Sequence, residues 1–389
     1  MKLIIITPNS FPAEDAGALR DDAFSQLFQA LGYSVYALSR GSQSAAGEYR
    51  GTGYESLYRE SRSKLHKVWN WLTAAADFRR AFRRYLARFG APDVIYLGHD
   101  DNRIVRFVQR YAACRDIPLL YNACEWYSPC EFRLGKWSRV YLSNDYRNRR
   151  LLRPPARVIA ISRYLADYFS GRGMAVLRVP VILDMRQIDG SVEENGDRVN
   201  LVYAGSPGGK DSLRPLLLAL LSLPEPARAR LRVHIIGLDP AQLAAHCGLD
   251  KTRLAALSDT LTAYGRLPHG EVSRLLKEMD FSVLLRPAQE RYAKAGFPTK
   301  VVEAMAHGVA MLCNLSSDLS EYLVDGENAL IAADEGVDAV RAALLRAAAL
   351  PGEEILRLRR AARDLAERAF DVRCYLADME RFLSEAAKK

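Results

Sequence analysis

The sequence lacks a hydrophobic run that could cross a bilayer. Apolar stretches such as 3–6 and 216–221 are far shorter than the roughly 20 residues that a spanning helix needs. We therefore expect residues 3–6 to form a buried first strand rather than a signal peptide. The six cysteines include no CxxC pair, which argues against a zinc site or a disulfide framework and favours reduced thiols in the cytoplasm.

Several catalytic motifs are also missing. The sequence has no DxD, GxSxG or HExxH motif, and the loop after the first strand, TPNSFPAEDAGALR, does not contain GxGxxG. The stretch AGSPGGKD is similar to a phosphate-binding loop, but Ala204 stands where the first glycine belongs and Asp211 replaces the magnesium-binding serine or threonine. These absences weigh against a dehydrogenase, a P-loop NTPase and a metallohydrolase, and we expect no metal site.

The composition is typical of a soluble globular protein, with 49% hydrophobic residues, 26% charged residues and a mean hydropathy of −0.14. At roughly 150 residues per domain, the length predicts two domains. Short β-rich runs alternate with helical stretches in both halves, which is the pattern of parallel sheets with helices on both faces. The polar stretch 184–198 is typical of a linker between the halves.

We thus predict an α/β protein with domains at 1–185 and 198–365 and a C-terminal helix at 366–389 that packs back toward the first domain. Each domain should be a doubly wound parallel sheet, and the site should lie in the cleft between the domains, outside the C-terminal ends of the strands. The predicted strands are 3–6, 33–38, 94–97, 119–122, 158–161, 199–204, 231–236, 281–285, 309–313 and 329–331. The main predicted helices are 18–31, 64–88, 102–114, 162–169, 335–349, 352–369 and 372–387.

The stretch 286–308, RPAQERYAKAGFPTKVVEAMAHG, follows a predicted strand and so forms a loop and the next helix. Thr299 is predicted to cap this helix, which runs through His307. Val301, Val302, Met305 and Ala306 form an apolar face, and Thr299, Glu303 and His307 form a polar one. A capped surface helix with a solvated charged face would explain this pattern.

A ligand site explains the same pattern. Free N–H groups at the helix start, with Lys300 in the first turn and Arg286 and Arg291 upstream, could hold a diphosphate. One turn deeper, Glu303 could accept hydrogen bonds from ribose hydroxyls. From this stretch alone, the site and the solvated helix remain alternatives.

The segment AGFPTKVVEAMAHGVAMLCN resembles the donor-binding signature of retaining glycosyltransferases with the GT-B fold, glycosyltransferase family 4 in particular. Further segments resemble the family in the expected order over about 1–330: PNSFPAEDAGALRDDAFSQLFQALGYSVYALSR, PDVIYLGHD, RVIAISRYLADYF, LRVPVILD, LVYAGSPGGKD and FSVLLRP. The resemblance implies a nucleotide-sugar donor held by the C-terminal domain and an acceptor held by the N-terminal domain.

The resemblance also implies roles for single residues. Glu303 would bind the ribose, Lys210 and the amides near Thr299 the diphosphate, and Gly17 would lie in a loop that approaches the donor phosphate. His99 matches the polar residue near the sugar and the acceptor. The expected donor site comprises Gly17, Ser206, Lys210, Arg286, Arg291, Gly296, Phe297, Pro298, Thr299, Lys300 and Glu303. The expected acceptor side comprises His99, Asp100 and Glu125, and the expected catalytic residues are His99, Lys210 and Glu303.

Two of these residues also fit a purely structural role. Lys210 lies on a glycine-rich turn where a lysine is usually only solvated, and His99 could cap the helix that follows it. The sequence also departs from the family pattern. Ala295 stands where the first of two glutamates is usual, and Ser206 stands in the region of a basic residue. We hypothesise that Arg286 or Arg291 supplies the missing positive charge.

The resemblance implies front-face attack by the acceptor while charge on the leaving nucleoside diphosphate is neutralised, with no metal and no other cofactor. The expected donor is a UDP-sugar in preference to a GDP-sugar, and the expected acceptor is a saccharide or a lipid-linked saccharide in bacterial surface polysaccharide synthesis. A nucleotide-sugar 2-epimerase of the same fold and a non-catalytic nucleotide-sugar-binding subunit are the alternatives.

The net charge of +9 is unevenly distributed. Residues 1–190 hold 29 basic against 18 acidic side chains, and the remainder holds 26 against 28. Segments 59–90 and 133–157 are basic, and the first interleaves arginines with aromatic residues, which suits a helix lying on an anionic bilayer. An ordinary amphipathic helix is the alternative. We expect a cytoplasmic protein, peripheral on the inner membrane, and no nucleic-acid partner because no such motif accompanies the charge.

Overall fold

Parallel sheets organise both halves of the chain in the computed structural model, which describes residues 1–12, 16–40, 45–57, 61 and 63–387. The chain divides into two units. The first unit comprises Met1–Pro129, Leu134–Asp184 and Val372–Lys389, and the second comprises Cys130–Arg133 and Met185–Asp371. No helix among the described residues is both long enough and apolar enough to cross a membrane.

The first unit contains an eight-stranded sheet with the strand order β3-β4-β2-β1-β5-β6-β7-β8, in which only the β3–β4 pair is antiparallel. The strands are β1 Lys2–Ile6, β2 Ser34–Ser39, β3 Ala46–Tyr49, β4 Thr52–Ser56, β5 Val94–Leu97, β6 Leu119–Ala123, β7 Arg157–Ala160 and β8 Val176–Arg178. The helices are α1 Ala16–Ala30, α2 Lys64–Phe89, α3 Asn102–Ala113, α4 Arg139–Tyr146, α5 Arg163–Ser170 and the C-terminal helix Leu376–Ala387. A π-helical turn, Arg147–Leu151, continues α4.

The second unit contains a six-stranded parallel sheet with the order β11-β10-β9-β12-β13-β14. Its strands are β9 Val199–Ala204, β10 Leu231–Ile236, β11 Leu261–Gly265, β12 Phe281–Leu284, β13 Ala310–Asn314 and β14 Ala329–Ala332. Its helices are α6 Arg214–Ser222, α7 Glu225–Ala229, α8 Pro240–Cys247, α9 Lys251–Ala255, α10 His269–Lys277, α11 Arg291–Ala295, α12 Thr299–Ala306, α13 Val337–Ala349 and α14 Gly352–Ala369.

The predicted strands are all present, and their ends differ from the prediction by at most one residue. Central parallel strands are buried on both faces, so they are continuous apolar runs: Leu3 to Ile6 in β1 are completely buried. The strands that the sequence did not indicate are β3, β4, β8 and β11. Three of them form sheet edges and β4 pairs with the edge strand β3, so none of them needs an apolar run.

The strand order reverses once in each sheet. The reversal lies between β1 and β5 in the first unit and between β9 and β12 in the second. Loops diverge to opposite faces at such a point and leave a crevice at the C-terminal ends of the strands. The loop after β5 carries His99, and the loops after β9 and β12 carry Lys210 and Arg286. The topology therefore places the predicted polar residues of each unit at its reversal point.

The C-terminal helix is part of the first unit. Met379, Phe382 and Leu383 join a buried cluster that includes Phe28 and Tyr96. The helix is also held by Arg157, whose guanidinium lies 3.1 Å from Glu385 and 4.1 Å from the centroid of the Phe382 ring. Apolar burial and one ion pair thus attach the last described residues to the eight-stranded sheet.

The polar stretch predicted as a linker is fixed to the second unit by Arg359 of α14. This arginine is 1% exposed and donates to the carbonyl of Glu193 at 2.7 Å and to that of Gly308 at 3.0 Å. It also lies 3.2 Å from the carboxylate of Asp280, which accepts from Asn195 at 2.9 Å. Buried hydrogen bonds to Arg359 and Asp280 therefore fix this stretch, although it contains few apolar residues.

Replacing Arg359 by methionine should destabilise the second unit by about 3–5 kcal/mol, because Asp280 would remain buried without its counter-charge. All four tryptophans lie in the first unit, so the measurement is urea-dependent hydrogen exchange of the six-stranded sheet rather than fluorescence. Arg357→Met is the control. The surface pair of Arg357 with Glu354 should contribute less than about 1 kcal/mol. Equal losses in the two variants would contradict the assignment.

Candidate functional site

The loop that follows β9 makes a tight turn around Lys210. Its first residue, Gly205, has a φ of +125°, and a Cβ there would lie 2.7 Å from Cε of Lys300. Glycine is required because any side chain would both strain the backbone and displace Lys300. The N–H groups of Lys210 and Asp211 donate to the carbonyl of Pro207 at 3.1 and 3.2 Å. The turn thus sets Lys210 at the C-terminal end of β9.

Asp211 is the centre of a buried charge network. Its carboxylate accepts from Nε of Arg286 at 2.6 Å, from Nζ of Lys300 at 2.5 Å and from the Tyr203 hydroxyl at 2.8 Å. Burial opposes ionisation, but the charges of Arg286 and Lys300 hold the pKa of Asp211 below its usual value. The carboxylate therefore joins the end of β9, the loop after β12 and the first turn of α12.

Three of the cations that the sequence assigns to a phosphate site have carboxylate neighbours in the structure. The ammonium group of Lys300 is held by Asp211 and Tyr203, and Arg286 uses its Nε on the same carboxylate. Nζ of Lys210 lies 3.6 Å from Glu131 of the short segment Cys130–Arg133. Burial lowers the pKa of Lys300, while Asp211 opposes this shift.

Helix α12 begins at Thr299 and not after it. Pro298 occupies the cap position with an extended backbone, and no side chain caps the helix, so the prediction that Thr299 is the N-cap was wrong. Proline takes the cap position because its fixed φ suits extended backbone there. The first amides of α12 consequently have no side-chain acceptor from the cap residue. The predicted apolar face of the helix is confirmed, since Val301, Val302 and Met305 are completely buried.

Glu303 is the unusual group of this helix. Burial raises its pKa to about 7, and the nearby Lys300 opposes this shift. Its side chain is partly exposed, and its carboxylate makes no hydrogen bond with any residue that the structure describes. A carboxylate in this situation is available as an acceptor for a ligand.

The remaining predicted donor-site residues have different positions. Phe297 is buried, and its ring makes edge contacts with Tyr322 and Phe370 at centroid distances of 5.7 Å. Ser206 is exposed on the turn after β9, Arg291 begins α11, and Gly296 follows that helix with extended backbone. The ring of Phe297 therefore packs in the core of the second unit.

The first unit has a cavity of ≈ 820 Å³ at its strand reversal. His99 lines it, and its Nδ1 accepts the N–H of Asp101 at 3.0 Å. Burial lowers the pKa of His99 to about 4, so the ring is neutral at physiological pH and carries its proton on Nε2. Asp101 caps α3 by accepting from the N–H of Arg103 at 2.8 Å, so His99 is not the cap.

The structure brings Asp100 to the same cavity but not Glu125 or Gly17. The backbone carbonyl of Glu125 accepts from Asn144 and Asn148, each at 3.2 Å. Gly17 is the second residue of α1, and a Cβ there would lie 2.5 Å from the Asn9 amide oxygen. Gly17 therefore permits close packing of the loop after β1.

Sequence reasoning missed two charged residues of these sites. In the sequence, Asp211 stands out only as a departure from a P-loop, although an acidic residue directly after the lysine of a strand-to-helix turn is a usable signal. Arg147 was counted in a basic segment, whereas the structure buries it in the wall of the cavity, where it is 6% exposed. No local pattern distinguishes Arg147 from its exposed neighbours.

Residues 198–349 match the family model described as "Glycosyl transferases group 1". Among curated proteins there is no significant match. Sucrose-phosphate synthase from Thermosynechococcus elongatus superposes with a TM-score of 0.75 at 15% identity over 99% of this chain and 98% of that one. HepE from Anabaena, solved in complex with UDP, superposes with a TM-score of 0.68 at 15% identity over 99% of this chain and 100% of that one. WaaG, a glycosyltransferase involved in lipopolysaccharide biosynthesis, superposes with a TM-score of 0.66 at 14% identity over 94% of this chain and 95% of that one.

These comparisons confirm the predicted fold class, because both units superpose on solved GT-B glycosyltransferases. The resemblance that the sequence shows to glycosyltransferases is confirmed as well, and the family match spans the part of the chain that carries Lys210, Asp211 and Glu303. The chain therefore has the GT-B fold, and the family match supports glycosyl transfer as its class of activity.

Replacing Asp211 by asparagine should cost about 3 kcal/mol of stability in the second unit, because two partly buried cations would lose their counter-charge. The double variant Asp211→Asn/Lys300→Met should lose less than the single variant, because one of those cations is then absent. Hydrogen exchange of β9 and β12 in urea measures both, with the surface variant Glu354→Gln as the control. A double variant no more stable than the single one would show that Asp211 does not act through these charges.

Proposed function

We propose that this protein is a glycosyltransferase that moves a sugar from a UDP-sugar to a saccharide or lipid-linked acceptor, with retention and without a metal. The observation that carries the proposal is the Glu303 carboxylate, which lacks a hydrogen-bond partner among the described residues. It lies one turn into α12, whose first turn joins the charge network at the ends of β9 and β12. Ribose hydroxyls supply the donors that this carboxylate lacks.

The choice of nucleotide is supported by a structural neighbour. HepE from Anabaena has been solved with UDP and with UDP-glucose, and that protein covers the same two-domain fold. In this chain Lys210, the remaining N–H groups of Arg286 and the uncapped amides of α12 would receive the diphosphate. Ser206 lies on the same exposed turn as Lys210.

The chemistry required of such a site is neutralisation of a leaving group. As the bond from the sugar to the diphosphate breaks, negative charge grows on the phosphate oxygens, and fixed cations and amides stabilise that charge without reorganising. Asp211 holds Arg286 in place for this role. No carboxylate is needed as a nucleophile, so Ala295 in place of a glutamate is compatible with transfer. In the first unit, the Nε2–H of His99 would donate to a hydroxyl of the sugar or the acceptor.

Glu303→Gln should weaken UDP-glucose binding about tenfold or more, because a charge-assisted hydrogen bond to ribose becomes a neutral one. In the wild type, affinity should rise from pH 6 to pH 8 as Glu303, with its pKa of about 7, ionises. UDP-glucose is the suitable probe because its esterified diphosphate does not titrate in this range. Calorimetric titrations across pH measure the affinity for UDP-glucose, with Glu354→Gln as the control. Equal pH profiles for wild type and Glu303→Gln would refute the role of Glu303.

Turnover separates transfer from the two alternatives. UDP-, GDP- and dTDP-sugars are first compared by thermal shift, since a bound donor raises the melting temperature. The preferred donor is then incubated with a bacterial membrane extract. Transfer should occur with the anomeric configuration retained. Epimerised donor without acceptor would indicate a 2-epimerase, and binding without any turnover would indicate a non-catalytic subunit.

The proposed acceptor explains an exposed apolar patch on the first unit. Leu65, Val68, Trp69, Trp71 and Leu72 of α2 and Leu134, Trp137, Val140 and Leu142 are between 44% and 82% exposed. The guanidinium of Arg139 lies 4.4 Å from the centroid of the Trp71 ring, and this contact joins the α2 part of the patch to the part at 134–142. The patch borders the cavity of the first unit, because Trp71, Arg139 and Val140 also line it. Residues 59, 60 and 62 of the predicted basic segment lie outside the described residues.

The two interpretations of α2 apply to different parts of the helix. From Ala75 onward, Phe78, Phe82 and Tyr85 are buried, as in an ordinary amphipathic helix. The first turns instead expose two tryptophans beside lysines, the composition of a segment that lies in an anionic membrane interface. We therefore propose membrane contact through the apolar patch alone, for a cytoplasmic protein peripheral on the inner membrane.

The protein should co-sediment with phosphatidylglycerol vesicles at low salt, and Trp69→Ser/Trp137→Ser should reduce the bound fraction about tenfold or more, since two interfacial aromatic side chains are lost. Val324→Ser removes an exposed apolar side chain from the second unit and should not change binding. The variants should melt like the wild type because the replaced side chains are exposed. Unchanged sedimentation of the double variant would exclude the patch.

A further inference from the structure

Arg147 is a buried cation in the wall of the first unit's cavity. It begins the π-helical turn Arg147–Leu151, is 6% exposed and lines the cavity together with His99 and Asp100. π-Helical turns are costly for the backbone and are concentrated at functional sites. Here the turn carries one arginine inward at the end of a helix whose first residues are exposed.

The contacts of Arg147 leave its charge without a counter-charge. Its Nη1 donates to the carbonyl of Asp100 at 2.6 Å and to the side-chain oxygen of Asn102 at 3.1 Å, and its guanidinium also hydrogen-bonds the Tyr121 side chain; all three partners are neutral. Its Nε is buried and has no hydrogen-bond partner. Among the described residues no carboxylate lies within ion-pair distance of this guanidinium. Buried charges are normally paired, so the environment of Arg147 is incomplete.

Arg103 shows that the same cavity can satisfy an arginine. It lies 2.5 Å from the Asp101 carboxylate and donates to the carbonyls of Trp71 and Leu72 at 2.6 and 3.1 Å. Arg103 is therefore a structural residue that ties α2 to α3. Arg147, by contrast, has only neutral partners among the described residues, so its charge can accept an anionic ligand.

Three more cations face the cavity, and of the three aspartates that line it Asp77 and Asp101 are paired with Arg80 and Arg103. Arg40, Lys67 and Arg139 line it and are exposed, and none of them forms an ion pair within the described part of the chain. Several cations around one guanidinium match the multiple oxygens and charge of a phosphate group better than the single charge of a carboxylate. A volume of ≈ 820 Å³ has room for a phosphate together with a sugar ring.

We propose that this cavity binds a phosphate group of the acceptor substrate through Arg147, with Arg40, Lys67 and Arg139 at its rim. The assignment rests on the proposed function, since it names the chemistry of the acceptor for that reaction. The phosphate belongs either to a water-soluble sugar phosphate or to a lipid-linked phosphate. In both cases Arg147 holds the acceptor by its charged end and leaves a sugar hydroxyl for the Nε2–H side of His99.

The test compares glucose 6-phosphate with glucose by calorimetry at low salt. The wild type should bind the phosphate ester at least tenfold more tightly than glucose, and Arg147→Met should remove this difference while Arg147→Lys keeps part of it. Arg106→Met is the matched control, because Arg106 is exposed on α3 and does not line the cavity. Equal affinities of wild type and Arg147→Met for glucose 6-phosphate would overturn the proposal.

Two further measurements keep the result interpretable. Phosphate added to the wild type should slow hydrogen exchange in 98–104 and 139–151, a readout that needs no variant, and no slowing would count against the site. The second measurement lets a short polyprenyl phosphate in micelles compete with glucose 6-phosphate. Tighter binding of the polyprenyl phosphate would identify a lipid-linked phosphate as the acceptor group, and weaker or equal binding would identify a water-soluble sugar phosphate.

UDP binding to the same samples separates this proposal from the proposed function. UDP should bind wild type and Arg147→Met equally, because its predicted contacts lie in the second unit. UDP binding without an Arg147-dependent phosphate site would refute the inference alone. A phosphate site without UDP binding would refute the proposed function and leave an anion-binding cavity.

Discussion

The second unit depends on one buried carboxylate. Asp211 accepts from Tyr203 at the end of β9, from Arg286 after β12 and from Lys300 in α12, so one side chain fixes three elements that meet at the strand reversal. This arrangement is possible only because Gly205 has no Cβ and lets Lys300 cross the end of β9. A cation cluster without Asp211 would repel itself in a partly buried place. The charge pairing therefore lets the proposed phosphate site fold in the absence of a ligand.

That pairing also decides which groups remain for a ligand. The position of Lys300 in the first turn of α12 suggests a phosphate contact. Its ammonium group instead donates to Asp211 and Tyr203. Nζ of Lys210 lies 3.6 Å from the Glu131 carboxylate, so Lys210 also has a carboxylate neighbour. The amides of α12 have no side-chain cap because Pro298 occupies the cap position. In the proposed function, the attraction for a diphosphate would come from Lys210, the remaining N–H groups of Arg286 and the amides at the start of α12.

The sequence was a good guide where one short segment decides the structure. Val199–Ala204 and Phe281–Leu284 are mostly apolar segments of the kind typical of central parallel strands, and the family signature places Glu303 on the helix after the second of them. It was a poor guide where distant residues decide. The partner of Lys300 is 89 residues away, and nothing near Arg147 in the chain shows that it is buried while Arg149 and Arg150 are exposed. Edge strands such as Ala46–Tyr49 lack an apolar run because only part of their surface is covered.

The excess of positive charge now has a structural explanation. The first unit holds 31 basic against 19 acidic side chains, so it carries the whole excess, whereas the second unit is slightly acidic. A basic surface alone would be consistent with any anionic partner. Two features limit the kind of anionic partner. The exposed tryptophans of α2 favour a membrane interface, where aromatic side chains are enriched. The buried Arg147 favours an enclosed phosphate, because a fixed guanidinium matches its oxygens. Since Trp71 and Arg147 line one cavity, an acceptor with a phosphate at a membrane surface would satisfy both features at once.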